Sequence, residues 1–193
     1  MIIKRLALRS GVHRVFLLGS DTSFPPEQFR VNIEMPEGNR ISIDWGDGSI
    51  PTSYDGPLFY ANLLTHNFLS GEYQVKIVGA HEEITKIHLS AYSLIGDIAV
   101  FKNMPQLTYL RLTCGVGLDY TSTTLPQWSG SEFHLSYARL ISSEVDDFLV
   151  DLNAAGGVSG IVRLISPCQP PTATGLAAKT SLEGKGWTVE VAT

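Results

Sequence analysis

The chain has 193 residues, 44% hydrophobic and 17% charged, with 18 glycines and 10 prolines. That composition excludes disorder, fits one large domain or two small ones, and favours short β-rich elements over a helical bundle. The formal net charge is −5 and the 14 Lys and Arg are scattered singly, which excludes nucleic acid as a partner, because a phosphate-binding face gathers its cations.

At the N-terminus, Met1–Arg9 alternates apolar with charged residues, and Arg14 and Asp21 bracket only the short run Val15–Leu18. A secretory signal needs an unbroken apolar stretch of about 7–15 residues and a membrane helix about 20. Neither occurs, so the expectation is a chain made in soluble form without membrane insertion. Lys4–Leu8 and Val12–Leu18 read as strands around the turn signal Ser10-Gly11. Phe29–Met35 is apolar at every odd position, as a half-buried strand is, and Ile41–Trp45 repeats the alternation after the turn Pro36-Glu37-Gly38-Asn39. The two segments read as a hairpin. Tyr73–Ile77 is a further alternating strand.

Within this half, Ile43-Asp44-Trp45-Gly46-Asp47-Gly48-Ser49 is followed by Thr65-His66-Asn67-Phe68 and then Gly71-Glu72-Tyr73-Gln74-Val75. The series resembles the polycystic-kidney-disease (PKD) domain, an immunoglobulin-like sandwich marked by a W/F-G-D-G turn, a His-x-Tyr segment and Gly-x-Tyr-x-Val. Phe68 stands where that family has Tyr, and the link from Ser49 to Leu64 is long. In the turn, Gly46 and Gly48 can take positive φ, Asp44 and Asp47 can accept bonds from neighbouring amides, and Trp45 is a large buried anchor. The structural motif is therefore Trp45, Gly46, Asp47, Gly48, His66, Gly71 and Tyr73. Asp44 and Asp47 are also the only metal-ligand candidates. They lack the D-x-D-x-D spacing of a calcium loop, and a structural turn is the expected role.

From about residue 84 the pattern changes. Ile84-x-x-Ile87-x-Leu89, Leu107-x-x-Leu110-x-Leu112, Phe133-x-Leu135, Val162-x-Leu164 and Trp187-x-Val189 recur at spacings of 23 to 29 residues. This series resembles a leucine-rich repeat array of short parallel strands. The family's Asn or Cys ladder position holds Tyr92, Gly115, Ala138 and Pro167 instead. Ser143–Leu152 is apolar at helical spacing, with Ser142 or Ser143 to cap it and Gly156-Gly157 to end it. Ala173–Leu182 is a second helix after Pro170-Pro171. Asp146 and Asp147 point about 100° apart on the first helix, and read as a solvated face. The final strand, Trp187–Val191, is expected to be an edge covered by another copy or a partner.

Catalytic patterns are missing. His13, His66, His81, His88 and His134 lie far apart in the chain, and no nucleophile elbow, Walker loop, dinucleotide fingerprint or zinc spacing occurs. Cys114 and Cys168 fit two free half-buried thiols, with a bridge between them left open. The resemblances imply a β-rich fold: an immunoglobulin-like β-sandwich over residues 1–82, then a short leucine-rich-repeat-like α/β solenoid over residues 83–193. They imply a non-enzymatic structural or binding protein without cofactor. Similar combinations occur in bacterial surface proteins and in phage virion proteins. Without an export signal, the expected setting is a bacteriophage virion assembled in the host cytoplasm, as a capsid decoration, head-fibre or tail protein. The expected partners are virion subunits, copies of itself (a homotrimer among them), or a host-surface glycan or protein. The alternative is a bacterial cell-surface or secreted adhesion protein. A carbohydrate-active enzyme ranks last, since no acidic pair stands out.

Overall fold

A computed structural model describes residues 16–19, 27–56, 64–68, 72–91, 94–114, 117–135 and 137–193. The strand expected at Lys4–Leu8 and the Ser10-Gly11 turn lie outside the described residues. Six strands come first: β1 (Phe16–Gly19), β2 (Glu27–Glu34), β3 (Arg40–Asp44), β4 (Thr52–Asp55), β5 (Leu64–Phe68) and β6 (Glu72–Gly79). A 3-10 turn at His81–Glu83 leads to β7 (Lys86–Ala91) and β8 (Leu94–Asp97), then a 3-10 helix at Ile98–Asn103. The chain continues through β9 (Tyr109–Cys114), β10 (Leu118–Asp119) and β11 (Ser131–His134). It closes with α1 (Ser142–Ala154), β12 (Gly160–Leu164), α2 (Ala173–Gly184) and β13 (Trp187–Val191). The protein is β-rich.

Two sheets carry the fold. One has six strands in the order β10-β8-β1-β6-β3-β4, the other seven in the order β13-β12-β11-β9-β7-β2-β5. Their apolar faces meet: Phe29 of β2 touches Trp45 edge-on at 5.9 Å, and the Tyr54 hydroxyl of β4 donates to the Ile33 carbonyl of β2 at 2.7 Å. This corrects the expected hairpin. β2 and β3 both alternate, but they belong to opposite sheets, and the Pro36–Asn39 turn carries the chain across the core. Alternation reports which side of a strand is buried. It does not report which strand is its neighbour.

The division at residues 82/83 does not separate two independent cores. β7 pairs antiparallel with β2, through Ile33↔Ile87 and Val31↔Leu89, and β8 pairs antiparallel with β1. Both sheets therefore take strands from either side of that point, and the buried apolar side chains form one cluster.

The C-terminal strands stack in parallel. Ile87 lies opposite Leu110, Leu110 opposite Phe133, Phe133 opposite Val162, and Val162 opposite Val189. Each contributes a buried side chain from the same face, which is why the apolar pairs recur in the sequence. A hydroxyl ladder ties the strand starts together. Thr85 Oγ1 donates to the Glu34 carbonyl (3.2 Å), Thr108 Oγ1 to that of Thr85 (3.0 Å), and Ser131 Oγ to that of Leu107 (3.0 Å). It lies at the opposite end of the strands from Ala138 and Pro167, while Tyr92 and Gly115 lie outside the described residues. Ala138 is buried there and contributes no polar side chain.

Both helices form where helical spacing placed them, and Val145, Phe148, Leu149 and Leu152 are buried on one face of α1. The start of α1 differs from expectation. Ile141 is the N-cap, and its N–H donates to Glu144 Oε2 at 2.9 Å, while the Ser142 N–H and hydroxyl both donate to Gln169 Oε1. Asp146 also departs from the expected solvated face. It is 7% exposed and accepts hydrogen bonds from the Thr172 N–H (2.9 Å) and hydroxyl, thereby fixing the N-cap of α2. Asp147 is exposed.

Candidate functional site

The W-G-D-G turn is drawn together from four strands. Trp45 is buried, its indole N–H donates to Thr52 Oγ1 at 2.9 Å, and the His66 ring stacks on it at 4.6 Å and 7°. Phe68, in the place of the family's Tyr, stacks on Tyr73 at 4.8 Å. Gly46 and Gly48 take φ of 77° and 83°, and a Cβ on Gly46 would overlap the Gln74 carbonyl. All four oxygens of the two carboxylates have protein partners. Asp44 accepts from the Gly46 N–H (2.9 Å) and pairs with Lys76 (3.3 Å). Asp47 accepts from the Ser49 N–H (3.0 Å) and meets His66 Nε2 at 2.7 Å. Bonds from Ser49, then from His66, hold the Asp47 carboxyl well below the usual carboxylate range. Gly71 lies outside the described residues. Among the described residues no group of three or more His, Cys, Asp or Glu is placed to hold a metal ion. The loop is bonded within itself and tied to β5 and β6.

A second constellation lies on the outward face of the seven-stranded sheet. In β7, β9, β11 and β12 one residue stands between the two buried apolar positions, in β13 one stands between buried Val189 and half-buried Val191, and these residues fall on one row. The register runs Asn32, His88, Arg111, His134, Arg163, Glu190 across β2, β7, β9, β11, β12 and β13. Neighbouring strands are about 4.8 Å apart, so the row extends for about 24 Å. At its β13 end the charges are matched: Arg163 bonds Glu190 at 3.1 Å and Glu132 at 3.3 Å, and His134 also contacts Glu132. On the rung below, Lys86 pairs with Glu34 at 3.0 Å, and the Tyr109 ring leans on His134 at 5.8 Å. Arg111 is exposed, and no carboxylate pairs with it among the described residues.

The β2 end is under-satisfied. Asn32 is 6% exposed, and its Oδ1 has no hydrogen-bond partner. His88 lies directly opposite, with Nε2 at 3.1 Å from Thr113 Oγ1 and Nδ1 buried without a partner. Thr113 Oγ1 donates to the Leu89 carbonyl (3.2 Å), so it accepts from His88. The ring proton then sits on Nε2, and Nδ1 presents a lone pair. Burial first, then the charges of Arg111 and His134, pushes the His88 pKa below 6.5 and keeps the ring neutral. A buried acceptor left without a donor costs about 1–3 kcal/mol, and two such acceptors lie side by side here.

Scans against protein-family models, curated proteins and solved structures found no match.

The residues themselves therefore carry the reading. The sheet-face row joins fixed hydrogen-bond acceptors to an unpaired guanidinium, an arrangement suited to holding a ligand. Sequence reasoning missed it by treating His88 and His134 as distant. Both occupy the position between the paired apolar residues of a strand, as does Arg111, and successive members recur every 23 residues. That shared position was the available signal. His66 belongs to the turn. His81 is buried, with Nδ1 at 2.9 Å from the Gly79 carbonyl, and His13 lies outside the described residues. Cys168 is a free, buried thiol whose pKa burial pushes up, and the Cys114 side chain lies outside the described ones.

Proposed function

We propose that the chain is a non-enzymatic structural and binding protein of a bacteriophage particle, serving as a capsid decoration, head-fibre or tail protein. In this reading its fold is an immunoglobulin-like sandwich merged with a short leucine-rich-repeat-like solenoid. The W-G-D-G turn, bonded within itself and to His66 and Lys76, supports the first part, and the parallel register of the recurring apolar pairs supports the second.

The observation that carries the functional reading is the edge strand β13. It ends the seven-stranded sheet, with Trp187 and Val189 buried on one side and Thr188 and Glu190 exposed on the other. An open edge is a template for pairing with another chain. Lys179 of α2 donates to the Val189 carbonyl at 2.6 Å and is also bonded to Glu183. That contact blunts one carbonyl of the edge and leaves room for a neighbouring copy, as in a homotrimer, or for a capsid or tail subunit.

The test is composition. Purified particles are expected to contain the chain in a fixed, many-copy ratio to the major capsid or tail protein. A chain that stays monomeric at high concentration and is absent from particles favours the second reading, a bacterial surface or secreted adhesion protein. The polar row on the sheet face supports that alternative equally.

A further inference from the structure

We propose that the free edge of β13 pairs antiparallel with β13 of a second copy, about a twofold axis at Val189, so that two seven-stranded sheets become one. The inference rests on the reading of the chain as an assembling structural protein. It names the neighbour at that edge as one further copy.

The backbone of β13 sets the register. The strand pairs with β12 alone, and beyond its last residue the Ala192 N–H donates to the Leu164 carbonyl of β12 at 3.0 Å. Residues of a strand bond to alternate sides. Residues 188, 190 and 192 therefore face β12, while Trp187, Val189 and Val191 turn their N–H and C=O groups outward. The bond from Lys179 Nζ to the Val189 carbonyl at 2.6 Å agrees with that direction. In an antiparallel ladder, two opposed residues that face each other exchange both of their bonds. A twofold at Val189 sets Val189 against its own copy and Trp187 against Val191 of the second copy. Every outward group then meets its complement. The axis stands normal to the sheet, so the buried faces of both copies stay on the same side.

The side chains fit the same register. On the inner face, buried Trp187 and Val189 and half-buried Val191 come together as apolar pairs. On the outer face, exposed Thr188 falls opposite exposed Glu190 of the second copy, and no two like charges are opposed. Glu190 is already balanced by Arg163 at 3.1 Å, so the pairing brings in no unmatched charge. Lys179 is the gate. Its ammonium occupies the path of the incoming strand, and its other partner, Glu183, holds it when it swings aside. Leu176, 48% exposed, lies one helical turn from Lys179 on the same side of α2, and gains cover when the second copy arrives.

The experiment follows the full chain by sedimentation velocity from about 10 μM to about 1 mM, the range of a weak contact. A reversible monomer–dimer equilibrium is expected. Thr188→Glu would oppose like charges twice in each dimer and should weaken pairing about tenfold, whereas Thr188→Lys should tighten it. Lys179→Met, which frees the Val189 carbonyl, should also tighten it. Mild oxidation then reads the register. Residues 188 and 190 of opposite copies form a non-hydrogen-bonded pair with Cα atoms about 4.5 Å apart, within disulfide reach, whereas two copies of residue 188 are too distant. A mixture of Thr188→Cys and Glu190→Cys chains should therefore cross-link, and each variant alone, like the parent chain, should not. The proposal is overturned if the parent chain is monomeric at about 1 mM, or if the mixture cross-links no better than either variant alone. It is also overturned if Thr188→Glu pairs as well as the parent chain, or if Lys179→Met weakens the pair. A dimer absent from particles would remove the particle reading and keep this pairing, and a monomer present in particles would do the reverse.

Discussion

At the scale of single residues, Trp45 combines contacts of several kinds. Its ring meets Phe29 and Phe68 edge-on, stacks on His66, and donates its N–H to Thr52. Trp45→Ala removes all of these and opens a cavity, and is expected to cost about 3–5 kcal/mol in urea unfolding. The residue types of this turn were legible in the sequence, including the roles of Asp44 and Asp47 as acceptors of local amides. The His66–Asp47 contact was not, because 19 residues separate the partners and only the pairing of β5 with β2 sets where His66 lies. Asp47 has a folded pKa lowered from 3.8, so its contribution is fully present above the unfolded value and is lost as pH falls through the lower folded one. The stability gap between the parent and Asp47→Asn is therefore expected to be full at about pH 7 and to shrink at about pH 3, as protonation makes the two side chains alike. A gap that stayed constant across that range would mean that the carboxylate charge has no part in the turn.

At the scale of elements, the five parallel strands and two helices followed from apolar periodicity, since burial on one face imposes it directly. What periodicity could not convey is how successive turns of the chain are bonded to one another. Asp97 accepts from the Thr121 N–H at 3.1 Å, and Asp151 from Thr123 N–H at 2.7 Å and Tyr120 hydroxyl at 2.8 Å. Asp146 accepts from Thr172. Each carboxylate reaches a segment 24 or more residues away, a relation with no local signature. Burial first, then the bond to Asp151, raises the Tyr120 pKa and keeps the phenol a donor. The Asp146 contact makes a prediction that runs against helix propensity. Gly→Ala inside a helix is ordinarily stabilising by about 1 kcal/mol, but a Cβ on Gly175 would overlap the Asp146 carboxylate. Gly175→Ala should therefore lower the melting temperature. Gly184→Ala, at the open end of the same helix with nothing within 4 Å of its Cβ, should leave it unchanged or raise it. Equal effects at both positions would show that Asp146 yields freely.

At the scale of the molecule, the change of pattern near residue 84 is genuine, since it marks where antiparallel strands give way to parallel ones. It is not a boundary between separate cores. β7 is the first strand of the parallel series and also the hydrogen-bonded neighbour of β2, and β8 completes a sheet whose other strands, apart from β10, come from the first half. Sequence patterns are local, whereas the pairing that joins the halves links Glu34 to Lys86 and Arg30 to Ser90, so composition alone made two units out of one. Cutting the chain after residue 82 would strip β2 from β7, exposing the Ile87 and Leu89 side chains that now face Ile33 and Val31. It would also leave β1 without β8. Each exposed edge becomes a pairing hazard, and each half loses apolar burial that a domain of its size cannot spare. Residues 1–82 and 83–193 expressed separately are therefore expected to show no cooperative thermal transition by circular dichroism and poorly dispersed amide spectra, whereas the intact chain unfolds in a single step. Should residues 83–193 alone unfold cooperatively near the melting temperature of the intact chain, the shared sheets would contribute little to stability, and the parallel array would have to be regarded as a self-sufficient unit.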